Sequence, residues 1–262
     1  MKVSLIVSTY NRPDALRLCL LNALSQSVMP DEIIVGDDGS GESTAELVRE
    51  INADAPVAVN HIWHEDKGFR LAMMRNKSIA AATGDYIIEI DGDVILHRDF
   101  VKDHLAFAQR GFYVKGGRVN LGQRLTQRLC LDGESVTLSF FSPGIENKRE
   151  NALHIPALAR YLAPRYRKDK ESALGCNMSF FRDDIIAING YDEFFEGWGG
   201  EDGDLGRRLK AHGLKKRHLK FAGIVFHLWH EDKYMYNKDK NFSYSQREDT
   251  PVYCANGIDK YL

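Results

Sequence analysis

Short apolar runs of strand length alternate with amphipathic helical segments through the first third of this chain, and that alternation admits few architectures. Val3–Val7 reads as a buried strand. Asn11 and Pro13 then punctuate a helix start, and Leu16, Leu20, Ala23 and Leu24 give that helix one apolar face. Glu32–Gly36 is a second strand, and Asp37-Asp38-Gly39-Ser40 turns the chain into a helix through Ala45, Leu47, Val48 and Ile51. Val57–Trp63 is a third strand. Leu71 to Ala82 is a helix closed by Gly84, and the apolar run Tyr86-Ile87-Ile88-Glu89-Ile90 follows. Strands alternating with helices imply right-handed crossovers and a mainly parallel sheet covered on both faces, an α/β fold. Phe112–Val119 reads as a further strand.

In such sheets, ligands bind beyond the carboxyl ends of the strands. Three polar clusters stand there: Ser8-Thr9-Tyr10-Asn11, Asp37–Ser40 and Asp91-Gly92-Asp93. Each alone is an ordinary loop, and Asp-Gly is a common turn. Together they describe one crevice. Two carboxylates at i and i+2 where a strand stops can converge on a divalent cation, which can in turn hold a diphosphate. No G-x-G-x-x-G follows the first strand and no G-x-x-x-x-G-K-[ST] occurs, so nicotinamide redox chemistry and P-loop phosphoryl transfer are poorly supported. Without a glycine cradle, a bound diphosphate needs another counter-charge, and a metal on Asp91 and Asp93 would supply it.

The net charge of −2 offers no electrostatic case for nucleic acid. Cys19, Cys130, Cys176 and Cys254 lack metal-binding spacing and suggest free thiols in a reducing compartment. The apolar run at Met1–Val7 is too short for a signal peptide, and no stretch approaches the ~20 apolar residues of a membrane span. These features lead us to expect a cytoplasmic protein. Between about Leu121 and Glu171 the periodicity weakens. There Lys148, Arg149, Arg160, Arg165, Arg167, Lys168 and Lys170 outnumber Glu146, Glu150 and Asp169. This basic segment, 143–170, is either a solvated surface or a flank that meets an anionic acceptor or membrane surface.

A second chemical cluster lies late in the chain. Gly197-Trp198-Gly199-Gly200 is a glycine-rich loop feeding a helix whose first turn carries Glu201, Asp202 and Asp204, with Gly213 as its C-cap. Acids at a helix N-terminus favour the macrodipole, which is one account of them. It does not explain a tryptophan between glycines. An indole offers a face for a sugar ring, and a carboxylate beside it can act as general base toward a hydroxyl. Past Gly223–Phe226, a strand end, His227 and His230 flank Trp229 and suggest a third metal ligand.

The ordered set Ser8-Thr9-Tyr10-Asn11-Arg12, Asp37-Asp38-Gly39-Ser40, Arg75-Asn76, Ala82-x-Gly84-Asp85-Tyr86 and Asp91-x-Asp93 resembles the family 2 glycosyltransferases of GT-A fold. Gly175-x-Asn177-Met178 and Gly197–Asp202 resemble the C-terminal part of chondroitin-polymerase modules and β-1,4-galactosyltransferases. The resemblance implies a Rossmann-like central sheet with a C-terminal acceptor-side extension. It implies one continuous domain, with a nucleotide-sugar half at 1–118 and an acceptor-side half at 119–262. It implies Thr9, Tyr10 and Asn11 around the nucleotide, Asp38 (or Asp37) accepting from a uracil imide, and Arg75 and Asn76 near ribose, diphosphate or donor sugar. Asp93 becomes the principal metal ligand, with Asp91 nearer the ribose and metal shell and His227 the other ligand. Asp202 becomes the catalytic base, with Glu201 and Trp198 on the sugar. The implied reaction is inverting transfer from a UDP-sugar to a saccharide or lipid-linked saccharide. It would be aided by Mn²⁺ or Mg²⁺, with histidine favouring Mn²⁺, and would serve bacterial surface polysaccharide or lipopolysaccharide synthesis at the inner membrane face. Gly203 stands where the animal enzymes carry a further Asp, which weakens any carry-over of acceptor identity. Two other classes compete: a sugar-phosphate nucleotidyltransferase, which would want a basic glycine loop after the first strand, and a non-catalytic nucleotide-sugar or carbohydrate-binding domain, which would not need both a metal cluster and a base.

Overall fold

A computed structural model describes residues 1–165, 173–231 and 235–262. The chain begins β1 (Val3–Thr9), α1 (Pro13–Ala23), β2 (Glu32–Asp37), α2 (Glu42–Ala53), β3 (Val59–Trp63), α3 (Leu71–Ala81) and β4 (Tyr86–Asp91). It continues through β5 (Val94–Leu96), α4 (Phe100–Phe107), β6 (Phe112–Gly116), β7 (Val119–Leu121), α5 (Gln123–Asp132), β8 (Ile145–Asn147) and α6 (Pro156–Leu162). It closes with β9 (Met178–Phe181), α7 (Arg182–Ala187), α8 (Glu201–Ala211), β10 (Lys215–Leu219), β11 (Val225–His227) and α9 (Lys238–Ser245).

Among the described residues, the main sheet has seven strands in the order β10-β6-β9-β4-β1-β2-β3. β1 runs parallel to β2 and β4, β2 to β3, and β6 to β10; β9 alone runs against its neighbours. All seven residues of β1 are buried, because helices cover both faces. Alternate residues of a strand face opposite ways. Val3, Leu5 and Val7 therefore pack with Leu16, Leu20, Leu47 and Phe100 of α1, α2 and α4. Ile6, Ile34 and Ile87 pack on the other side with Ala72 and Ile79 of α3 and Leu205 and Leu209 of α8. In α2 Leu47, Val48 and Ile51 are buried as expected, but Thr44 completes the buried stripe and Ala45 is only half-buried.

A smaller sheet, β5-β11-β7-β8, lies over Leu18 of α1 and Leu125 of α5. It requires one correction to the sequence reading. The strand expected over Phe112–Val119 is two strands in two sheets, β6 and β7. The break falls at Gly116-Gly117, where Asn177 Nδ2 captures the carbonyls of Gly117 (2.7 Å) and Gly223 (2.8 Å). A Cβ on Gly116 would stand 2.2 Å from that amide, so only glycine lets the side chain in to divert the strand. Part of the basic segment also serves the local fold, since Arg149 Nη1 donates to the carbonyls of Phe140 (2.6 Å) and Ser142 (3.0 Å). Arg167, Lys168, Asp169 and Lys170 lie outside the described residues. No helix among the described residues is long and apolar enough to cross a membrane.

Candidate active site

Sheet register brings the three polar clusters together. Ser8 pairs with Gly36 on one side and Asp91 on the other, and Thr9 pairs with Asp37. Gly92 N donates to Ser8 O at 2.6 Å and Asp38 N to Thr9 O at 3.0 Å, so the turns after β2 and β4 fold against the end of β1. The three polar clusters singled out in the sequence thus lie side by side at the carboxyl edge of the sheet.

Its centre is Arg75 of α3, fully buried. Nη1 donates to Asp202 Oδ1 at 2.9 Å and lies 3.5 Å from Glu201 Oε1. Nη2 reaches Asp91 Oδ1 at 3.3 Å, and Nε lies 3.1 Å from Glu89 Oε1, with the ring of Tyr191 5.3 Å from the guanidinium carbon. One cation therefore links the end of β4 to the start of α8. Asp202 is held a second time, its Oδ2 accepting from Gly175 N at 2.8 Å. Burial pushes the Glu201 carboxyl up to about 7, with the charge of Asp202 adding to it and Arg75 opposing. Burial likewise raises Glu89 to about 7 and Asp91 to about 6, again against the pull of Arg75.

The loop before α8 has the freedom its glycines suggest: Gly197, Gly199 and Gly200 sit at φ +79, +81 and +94. A Cβ at Gly200 would meet Asn241 O and Phe195 at 2.8 Å. Trp198 is half-buried beside them. Its ring is tilted 49° against Phe242 at 5.8 Å, Lys238 Nζ stands 5.2 Å over it, and its backbone N–H donates to Tyr236 O at 3.1 Å.

Asp93 gathers the second group. β11 pairs antiparallel with β5, placing His227 opposite Val94, and Leu228 N donates to Asp93 O at 2.9 Å. His227 Nε2 then lies 3.5 Å from Asp93 Oδ1 and His230 Nε2 3.6 Å from Oδ2. One ligand atom from each of the three lies within 4.8 Å of the others. Among the described residues no group donates to the buried Asp93 Oδ1, and a buried carboxylate oxygen of this kind is one that a cation satisfies. Two imidazoles and a carboxylate suit a first-row divalent metal, and burial keeps His227 below its usual range, neutral for ligation. Arg12 Nη1 meanwhile contacts Asp93 Oδ2 at 2.6 Å. The cluster does not include Asp91, which stays with Arg75.

The remaining expected residues divide. Asp37 and Asp38 are buried and engaged. Asp37 accepts from Ser40 N (2.7 Å) and meets His61 Nε2 (2.9 Å), while Asp38 meets His64 Nε2 (2.6 Å) and accepts from Arg70 N (2.8 Å). Thr9 ends β1. Tyr10 Oη donates to Asp66 at 2.9 Å, and Asn11, at φ +47, accepts from Gly41 N at 3.0 Å. Asn76 is not brought to the acidic centre. Its amide is spent on the backbone of Tyr191 (2.8 Å, both as donor and as acceptor) and on Glu193 (2.9 Å). Sequence reasoning gave no role to Glu89, or to Gly175 beyond its place in the Gly175-x-Asn177-Met178 motif. Glu89 was visible as a lone acid inside an apolar strand, a position that demands a buried partner. Gly175 acts through its backbone N–H, which no residue type announces.

A mainly parallel sheet with its polar clusters at the carboxyl edge is the GT-A architecture. The glycosyl transferase family 2 model matches residues 4–187, and the chain belongs to that family; a model described as the N-terminal domain of galactosyltransferase matches 158–231. Validoxylamine A glucosyltransferase of Streptomyces hygroscopicus subsp. limoneus is 27% identical, over 81% of this chain and 48% of its own. Chondroitin synthase of Escherichia coli is 25% identical, over 86% and 34%. The chain thus spans half or less of these relatives' length. Among solved structures, GalNAc-T7 with UDP, GalNAc and Mn²⁺ superposes with a TM-score of 0.66 at 15% identity, over 94% of this chain and 47% of that one.

Proposed function

We propose that this chain is a glycosyltransferase that moves a sugar from a UDP-sugar to a saccharide or lipid-linked saccharide hydroxyl, with inversion and with the help of Mn²⁺ or Mg²⁺. The observation that carries this reading is the Arg75 bridge, which sets Asp202 beside the end of the strand that leads to Asp93. Asp93, His227 and His230 would hold the metal. When bound, it supplies the positive charge that a departing diphosphate needs. Thr9, Tyr10, Asn11 and the Asp37–Asp38 turn border the nucleotide, residues 1–118 forming the donor half and 119–262 the acceptor half. Asp202, with each oxygen already oriented by Arg75 or Gly175, takes the proton from the acceptor hydroxyl as it attacks the anomeric carbon from the far face. Trp198 offers its half-exposed ring to the sugar, and Glu201, partly protonated near neutrality, can donate to a sugar oxygen.

One observation favours a second reading of the acids. With its carboxyl at about 7, Glu201 has the basicity of a general base at physiological pH. We place it in surface polysaccharide or lipopolysaccharide synthesis at the inner membrane face, and similarity to a chondroitin synthase supports the polysaccharide part of that reading. The test is metal-dependent UDP release from a panel of UDP-sugars, followed by assignment of the product's anomeric configuration by NMR. A β-glycoside from an α-linked donor is expected. A retained configuration removes the single displacement, and undiminished turnover under chelation removes the metal.

A further inference from the structure

A second group of metal-ligating side chains lies away from the acidic centre. His97, Asp99 and His154 each place a ligand atom within 4.8 Å of the others. His97 and Asp99 belong to the turn between β5 and α4, and His154 precedes α6, so the group joins segments distant in sequence. The two imidazoles face one another at 4.1 Å with a tilt of 33°. Nε2 of His154 is 2.9 Å from Asp103 Oδ2. A carboxylate only accepts, so this nitrogen carries the proton and Nδ1 keeps its lone pair. Asp103 Oδ2 is itself anchored by Gly223 N at 2.8 Å. Asp99 N donates to Nδ1 of His97 at 3.2 Å, which selects the same tautomer there. Asp99 Oδ1 accepts from the Ser27 hydroxyl and lies 3.7 Å from Lys102 Nζ. The backbone of His97 is pinned at both ends, its N–H on Ile224 O (3.0 Å) and its carbonyl on Gln26 Nε2 (3.0 Å).

We propose that His97, Asp99 and His154 form a second divalent-metal site, of the zinc type, which ties the segment before α6 to the turn before α4. Two imidazoles and one carboxylate, with water as the fourth ligand, are a donor set that suits zinc; calcium and magnesium want more oxygens. A histidine that gives its other N–H to a fixed carboxylate is the outer-shell arrangement found behind metal-bound imidazoles. Ligand bonds of about 2.0–2.2 Å put tetrahedral donors roughly 3.3 Å apart. Side-chain rotation closes the remaining gap, with the metal taking over the weak Asp99 N–H contact on His97. The site lies outside the reaction already described, and its effect is on the stability of the segment that carries His154.

Equilibrium dialysis of tag-free protein against Zn²⁺ tests this, in an Asp93→Ala/His227→Ala background that disables the other cluster. One equivalent per chain is expected, with a melting temperature that rises with zinc. Adding His154→Gln should abolish both the equivalent and the rise, while Asp103→Asn should weaken binding by roughly 10–100-fold. His97→Asn repeats the deletion from the other segment, and circular dichroism establishes that each variant is folded. No zinc bound in the background protein, or one equivalent retained after folded His154→Gln or His97→Asn, overturns the proposal.

Discussion

A guanidinium shut away from water is tolerated only with its charge matched, and Arg75 meets that demand with Glu89, Asp91, Glu201 and Asp202. The same contacts aim Asp202. Asp202→Asn keeps the shape and removes the basic oxygen. Its kcat should fall by roughly 10²–10⁴-fold with donor affinity and melting temperature nearly unchanged, because a base acts in the transition state. Glu201→Gln is the companion measurement. If that variant loses kcat while Asp202→Asn retains it, the base is Glu201; if both stay active, the pair only caps α8. At the other cluster, Asp93→Ala should abolish Mn²⁺-dependent turnover and calorimetric Mn²⁺ binding. His227→Ala should weaken that binding more than His230→Ala, since His227 is the more enclosed, with 13% of its side chain exposed against 37%. The reverse order would make His230 the principal imidazole.

The elements that periodicity can describe were legible, and those made by long-range capture were not. β1, β2, β4 and α1–α3 carry their own signals, so the grouping of Thr9, Asp37 and Asp91 could be read from residue order alone. The division of β6 from β7 depends on Asn177 reaching two carbonyls, which no local pattern encodes. Strand ends suggested Asp91 and Asp93 with one of His227 and His230 as ligands, and the choice of Asp93 with His227 came from the family resemblance. That Arg75 serves the acids, and that Asn76 serves the Tyr191 backbone, follows from directions about 100° apart on one helix whose burial runs nearly all round it. The segment leading into β9 offers a prediction of its own. A Cβ at Gly175 would stand 2.0 Å from Arg75 Nη2. Gly175→Ala should therefore push the guanidinium off Asp202 and disturb the Gly175 N–H bond together. We expect kcat to drop by at least tenfold, with UDP affinity kept. An alanine variant with normal kcat would show that the acids need no such fixing.

In the whole molecule, β9 and β10 come from the second half of the chain and complete a sheet begun by the first. A fragment ending at residue 118 would leave the buried Ile87 and Ile88 of β4 unpaired at an edge. It should show no cooperative thermal transition, and a sharp calorimetric peak from it would contradict this account. The strand that β9 covers also holds a pH-sensitive group. Glu89 is raised from its ordinary 4.5 to about 7 by burial, so the folded state holds its proton more tightly than the unfolded one. Its stabilising contribution is complete below about 4.5 and is lost as pH rises through about 7. Relative to Glu89→Gln, the native protein should be favoured most near pH 5 and lose ground toward pH 8 in chemical-denaturation midpoints. A difference that is flat across that range would mean that Arg75 keeps Glu89 ionised throughout. The position of β9 has a last consequence, for anyone wishing to recombine enzymes of this family. Its hydrogen bonds to β4 and β6 join the donor edge to the strand that follows Gly175. A chimera cut at the apparent midpoint would pair strands with no shared history, and the register error would pass directly to the N–H that holds Asp202. An exchange directed at the sugar proposed to meet Trp198 should instead graft the 197–200 loop alone, leaving the β6-β9-β4 ladder as one inheritance.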